Sequence, residues 1–227
     1  MANTNSIRTI APSAAEAAHA IVIDCEGRID HPPAEMGILD PTLGPDAPVR
    51  QVVLLASLRL AAQAKGLELT NLESVVGELV ERTEREGRCI MGWSSREIQL
   101  VRDYCSPRLA ARFEALHRDA KKAAKAWRKK EQQPLPKSSV ATGASLWRFA
   151  RLIGYEASSS LWHRGSARTI AILEDAFDRG CTYETLGRGR AAARRKARWT
   201  RLLRHNELDC RATYEIAQFV TGGRDHS

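Results

Sequence analysis

The stretch Ile21-Val22-Ile23-Asp24-Cys25-Glu26-Gly27 reads as a strand that ends in a site. An apolar, β-branched run closes on two carboxylates two residues apart, then a glycine. In a β-strand residues i and i+2 share a face, so Asp24 and Glu26 project together while Cys25 points the other way. Two acids that close repel unless a proton or a cation lies between them. The second informative stretch is His205-Asn206-Glu207-Leu208-Asp209-Cys210-Arg211-Ala212-Thr213. Helical spacing runs on through Ala212, Ile216, Phe219 and Val220, an apolar stripe with Asp209 on or near it. A carboxylate at the buried edge of a helix needs a partner. One divalent-cation site assembled from both ends of the chain accounts for both stretches.

Working outward, Met36 to Leu39 and Val49 to Leu58 are apolar and partly β-branched, and read as strands that pair with the first. Leu69 to Glu86 has helical spacing and stops at Gly87, a suitable C-cap. Arg88 to Trp93 returns to strand character, and a helix follows from Ser95 to Tyr104. The order β-β-β-α-β-α predicts an α/β fold with a mixed sheet flanked by helices. From there the periodicity is almost entirely helical, with a loop at Pro134 and Pro136 before a helix over Ser145 to Ile153. The expected organisation is a flexible tail over residues 1–18, one domain over 19–222 with a basic helical insertion at about 106–142, and a short tail over 223–227.

The 227 residues, 43% hydrophobic, are enough for one packed domain. A net charge of +8 and a pI near 9.5 favour a polyanionic partner such as nucleic acid. Five cysteines, an odd number with no C-x-x-C pair, argue against a disulfide framework and for a reducing cytoplasm. No apolar run is long enough to span a bilayer, so no membrane partner is expected.

Positive charge is clustered twice, in Arg118 to Lys130 and in Arg188 to Arg204. Each reads as one helix. Lys121, Lys125 and Lys129 on the first, and Arg194 and Arg198 on the second, are the candidates for tracking a phosphate backbone. A solvated helix face explains either cluster alone. Trp127 and Trp199 read as core packing more readily than as base-stacking platforms. A third acid, Glu97, follows the strand at Met91 and Gly92. With Ser94 it forms a capping-box spacing that needs no metal.

The acids in this order resemble the ribonuclease H-like superfamily, in its four-carboxylate 3′→5′ exonuclease branch. There a D-x-E ends the first strand, a middle acid follows a later strand, and a last Asp lies on a C-terminal helix. The nearest likeness is to predicted nucleases with a Y-N-x-x-D-C-x-A-T motif, matched here by residues 205–213. Ser145 to Tyr155 is similar to that family's helix between the middle and last acids. The likeness covers roughly residues 20 to 221. Glu97 stands where the broader branch has Asp, and His205 stands at the Tyr position.

The resemblance implies phosphodiester hydrolysis of DNA or RNA with two Mg²⁺ or Mn²⁺ ions roughly 3.5–4 Å apart. Such hard cations want oxygen ligands, which Asp and Glu supply. Asp24 is the expected bridging ligand, Glu26 and Asp209 complete the water-activating site, and Glu97 serves the second ion or an outer position. His205, four residues before Asp209, lies on the same helical face and is a candidate to orient or deprotonate the attacking water. The alternatives are a catalytically silent nucleic-acid-binding module on the same fold, and an endonuclease with the same metal site.

Overall fold

The computed structural model describes residues 9–28, 30–135, 145–155, 166–186 and 190–222. Six strands form one mixed sheet: β1 (Ile21–Gly27), β2 (Pro33–Leu39), β3 (Arg50–Val53), β4 (Glu68–Leu69), β5 (Ile90–Gly92) and β6 (His117–Asp119). Their spatial order is β4-β3-β2-β1-β5-β6. The β1–β2 and β2–β3 pairs are antiparallel, whereas β3–β4, β1–β5 and β5–β6 are parallel. The helices are α1 (Ala14–His19), α2 (Arg59–Gln63), α3 (Leu72–Glu86), α4 (Arg96–Tyr104), α5 (Pro107–Leu116), α6 (Ala120–Lys130), α7 (Leu146–Leu152), α8 (Ser166–Asp178) and α9 (Arg190–Thr221).

The period-two pattern of β1 splits the molecule into layers. Ile21, Ile23 and Cys25 join Met36, Ile38 and Val52 against α3, α4 and α5. The alternate residues Val22, Asp24 and Glu26 face α9 and α8. On that second side Val53 packs with Leu202, Leu203 and the fully buried Trp199. A truncation of Trp199 to Ala costs about 3–5 kcal/mol on the usual scale for large core aromatics. Trp127 meets Phe219 edge to face at 5.4 Å. Trp199 is therefore a core residue, and Trp127, half-buried, packs on α9. α3 is bounded as its sequence suggests, with the Asn71 side chain accepting from the Ser74 N–H and Gly87 in the left-handed region at φ 63°.

Several expected boundaries move. Residues 14–19 of the expected tail form a helix, closed by a reciprocal capping box between Ser13 and Glu16 and holding Ala17 in the core. Residues 1–8 and 223–227 lie outside the described set, as do Pro136 and Arg188. The strand expected over Val49 to Leu58 ends at Val53. The chain then turns into a short 3-10 helix and α2, whose Ala61 and Ala62 are buried. The run from Arg118 to Lys130 is not one helix, because Arg118 belongs to β6. The segment from residue 106 is not wholly helical either: it carries β6, an edge strand of the sheet paired with β5 from Ile90 to Gly92. Arg190 to Thr221 is a single 32-residue helix, so the second basic cluster and Asp209 share one axis.

Asp40, at the end of β2, ties this frame together electrostatically. It accepts from Arg88 at 2.7 Å and pairs with Arg82. Burial pushes its carboxyl up, but Arg88 and the Thr42 hydroxyl and N–H outweigh it and hold the group well below the usual range.

Candidate metal centre

Asp24 and Glu26 leave β1 on the face covered by α9, as their spacing requires. α9 brings His205 and Asp209 to the same place. His205 Nε2 stands 3.7 Å from Glu26 Oε1 and 3.6 Å from Asp209 Oδ2. Among the described residues, Glu26, His205 and Asp209 form the one set of donor atoms lying within 4.8 Å of one another that could share an ion. All three side chains are largely buried.

Asp24 is adjacent but outside that set. Asn206 Nδ2 donates to the Asp24 backbone carbonyl at 3.0 Å and to its Oδ2 at 3.1 Å. The helix can come this close because its neighbour on β2 is Gly37. A Cβ built there would collide with the Asn206 side-chain oxygen and stand 3.0 Å from Cys210 Sγ. Gly37 is the cross-strand partner of Asp24.

Glu97 is buried, 4% exposed, and likewise outside the set. Its helix starts at Arg96 with Ser95 at the N-cap, one residue later than the capping-box spacing predicts. The Ser94 hydroxyl accepts from the Arg96 N–H, and the Glu97 carboxylate turns back to the Ser94 backbone. Burial pushes the Glu97 carboxyl up to about 7, against the pull of nearby backbone N–H groups and Arg96. A Cβ at Gly92 would stand 2.9 Å from His117 Nε2 and 3.0 Å from the Glu97 carboxylate, so these two groups converge over that glycine. Burial holds His117 neutral, with its pKa lowered to about 3.

Glu35 is the acid that sequence reasoning missed. It is the direct cross-strand partner of Glu26, on the same face of the sheet. It is wholly buried, and neither carboxylate oxygen has a hydrogen-bond partner among the described residues. The one available signal was an acid two residues before Gly37, just ahead of the strand expected to begin at Met36; β2 begins at Pro33 and so includes it.

The electrostatics of these groups agree. Burial first, then Asp209, Glu26, Glu97 and Glu35, raises the Asp24 carboxyl well above its ordinary value. Burial and Glu26 do the same to Asp209 and to Glu35. Glu26 is raised by burial, partly offset by a hydrogen bond from Ser166 and by Arg96. Unpartnered buried carboxylates are unfavourable unless protonated or met by a cation. Glu97 Oε2 also lacks a partner among the described residues, whereas the Trp147 indole N–H bears on the Asp209 carboxylate and opposes its upward shift. The orphaned oxygens and the oxygen-rich donor set fit a divalent ion.

The candidate backbone-tracking residues lie away from this centre in the chain. Lys125 and Lys129 are exposed on α6, and Lys121 is half-buried at its first turn. On α9 Arg194 is exposed and Arg198 half-buried. Arg198 precedes His205 by seven residues and Asp209 by eleven, which places all three along one edge of the helix.

Comparison with protein-family models, with curated proteins and with solved structures finds nothing that matches this chain. Among the described residues no helix is long and apolar enough to cross a membrane.

Proposed function

We propose that this protein is a divalent-metal-dependent nuclease that hydrolyses phosphodiester bonds of DNA or RNA, acting as a 3′→5′ exonuclease. The observation that carries the reading is the convergence of Glu26, His205 and Asp209, from opposite ends of the chain, on one ion-sized set of donors. Four strand pairings support it as well. The order β3-β2-β1-β5-β6, antiparallel through β1 and parallel beyond, is the mixed sheet expected from the resemblance, and the D-x-E closes its central strand.

When bound, Mg²⁺ or Mn²⁺ would supply positive charge for the attacking and leaving oxygens of an in-line displacement. Glu26 and Asp209 would hold the first ion. Asp24, fastened by Asn206, stands beside them. A second ion requires Asp24 and Glu97 to join the donor set. Glu97, with a carboxyl near 7, can hold or release a proton at neutral pH. Arg194 and Arg198 on α9, and Lys121, Lys125 and Lys129 on α6, would bear on the substrate backbone.

One observation favours the competing reading of a silent nucleic-acid-binding module: Asp24 Oδ2 is engaged by Asn206, and Glu97 by the Ser94 backbone. End-labelled DNA and RNA incubated with the protein in Mn²⁺ and in EDTA separate the two. The nuclease reading expects shortening in Mn²⁺ that is lost in EDTA and in Asp24→Asn or Asp209→Asn. Retained binding with no cleavage in any metal supports the silent module.

A further inference from the structure

We propose that His205 is a ligand of the metal rather than the base that activates water, and that the centre therefore selects a nitrogen-accepting ion of the Mn²⁺, Co²⁺ or Zn²⁺ kind over Mg²⁺. This rests on the reading of the centre as a cation site and is independent of the reaction performed there.

The argument starts from which atom faces the acids. Nε2 of His205 lies between Glu26 Oε1 and Asp209 Oδ2, at 3.7 and 3.6 Å. Both separations exceed hydrogen-bond length, so the imidazole is not simply bonded to either carboxylate. They suit donors arranged around one ion instead. Ligands that each stand about 2.0–2.2 Å from a metal lie roughly 3–3.5 Å from one another. The three ligand atoms, all within 4.8 Å of one another, would draw together around an ion to close the set. A base for the attacking water needs an available nitrogen directed at the substrate. Here the nitrogen that points into the centre is already inside the donor set.

The placement is held by the fold. His205 and Asp209 are one helical turn apart on α9, so they share a face without any loop to rearrange. α9 is fixed against β1 and β2 by the close approach at Gly37 and by the Asn206 bonds to Asp24. Independently of the triad, Glu35 marks a need for positive charge at this spot. It is wholly buried beside Glu26, and its two oxygens have no partner among the described residues.

The donor chemistry then sets the metal. Mg²⁺ demands near-octahedral oxygen coordination and gains little from nitrogen. Imidazole with two carboxylates suits first-row transition ions, whose affinity for nitrogen sites rises along the series from Mn²⁺.

The test is pulsed electron paramagnetic resonance of the Mn²⁺-loaded protein, together with thermal unfolding in Mn²⁺ and in Mg²⁺. Ligation by His205 predicts an imidazole-nitrogen coupling to the Mn²⁺ signal in the native chain, and a larger rise in Tm with Mn²⁺ than with equal Mg²⁺. His205→Gln should abolish that coupling, weaken Mn²⁺ binding tenfold or more, the scale on which even outer partners of a ligand act, and narrow the preference over Mg²⁺. Mn²⁺ bound with no nitrogen coupling, and equally well by His205→Gln, overturns the assignment and leaves the carboxylate centre standing. If neither ion binds the native chain, and Asp209→Asn changes nothing, the cation site fails with it. Absence of nitrogen coupling in the native spectrum overturns the assignment whether or not the variant folds. If His205→Gln does not fold, His205→Asn takes its place, and a coupling that survives it assigns the nitrogen to His117 beside Glu97 and overturns the proposal.

Discussion

Asn206 holds Asp24 across 182 residues of sequence, and it can do so only because position 37 carries no side chain. The amide binds the backbone of β1 and the first acid of the centre at once, so helix packing and site geometry are one constraint. Gly37→Ala therefore tests both. The new methyl group must displace Asn206 or lift α9 from β2, a misfit of the kind that costs about 1–3 kcal/mol. We expect a correspondingly lower Tm and a larger proportional loss of Mn²⁺ affinity. An affinity unchanged at reduced Tm would separate the site from the helix contact.

The buried carboxyls fix how stability depends on pH. Glu97 has its pKa raised from an ordinary 4.5 to about 7, and burial shifts Asp24, Glu26, Glu35 and Asp209 the same way. Below the ordinary value both folded and unfolded chains carry the proton. Through the window from 4.5 to about 7 the unfolded chain gives up protons that the folded chain still holds, so unfolding gains with rising pH. His117, held neutral by burial, works the other way below its ordinary 6.5. In EDTA the net loss of stability, on the order of a few kcal/mol, should therefore show between about pH 6.5 and about pH 8. Mn²⁺ replaces protons, so its stabilising effect should grow over the same range. Thermal unfolding across pH with and without the ion checks this. A Tm that climbs with pH in EDTA contradicts it.

The two basic clusters are not equivalent. Arg198 shares the edge of α9 that carries His205 and Asp209, about 16 Å along the axis from Asp209 at 1.5 Å per residue. Lys125 and Lys129 sit on a different helix, packed against the C-terminal half of α9. Arg194→Glu with Arg198→Glu should weaken polynucleotide binding and flatten its salt dependence by about two phosphate contacts. Lys125→Glu with Lys129→Glu should act less. Binding isotherms on a long single strand at several salt concentrations give both quantities. Equal slopes for native and both variants would make these helices solvated faces.

What the sequence revealed and what it hid have physical reasons. β1 was legible because its alternation is undisturbed up to Gly27, and α9 because i, i+4 spacing persists from His205 to Val220. β6 was not. His117-Arg118-Asp119 has no strand propensity, and it is a strand only through its parallel pairing with β5 at the sheet edge. Its charge therefore blended into the basic run that follows. Glu35 was hidden because its burial is tertiary: it depends on α9 lying over β2. The phase of the helix predicted that His205 and Asp209 share a face. That Glu26 meets the same imidazole nitrogen needed the packing of β1 under α9.

Glu35 gives the last prediction. Glu35→Gln keeps the shape of the side chain and removes the charge that burial and Glu26 disfavour. At about pH 8 in EDTA the native protein bears the penalty of ionising or protonating this group, whereas the amide carries only an unpaired polar group. The variant should be more stable there by on the order of 1–3 kcal/mol, or roughly 2–10 °C in Tm for a chain of this size. At about pH 5 the native carboxyl already holds its proton, and the difference should vanish. Mn²⁺ affinity should fall less than in Asp209→Asn, since Glu35 lies behind the donor set rather than in it. Thermal unfolding of native and variant chains at both pH values, with and without Mn²⁺, reads all of this. A variant destabilised equally at both pH values would mean that Glu35 is held by a partner in solution, and its place as the acid backing the centre would be lost.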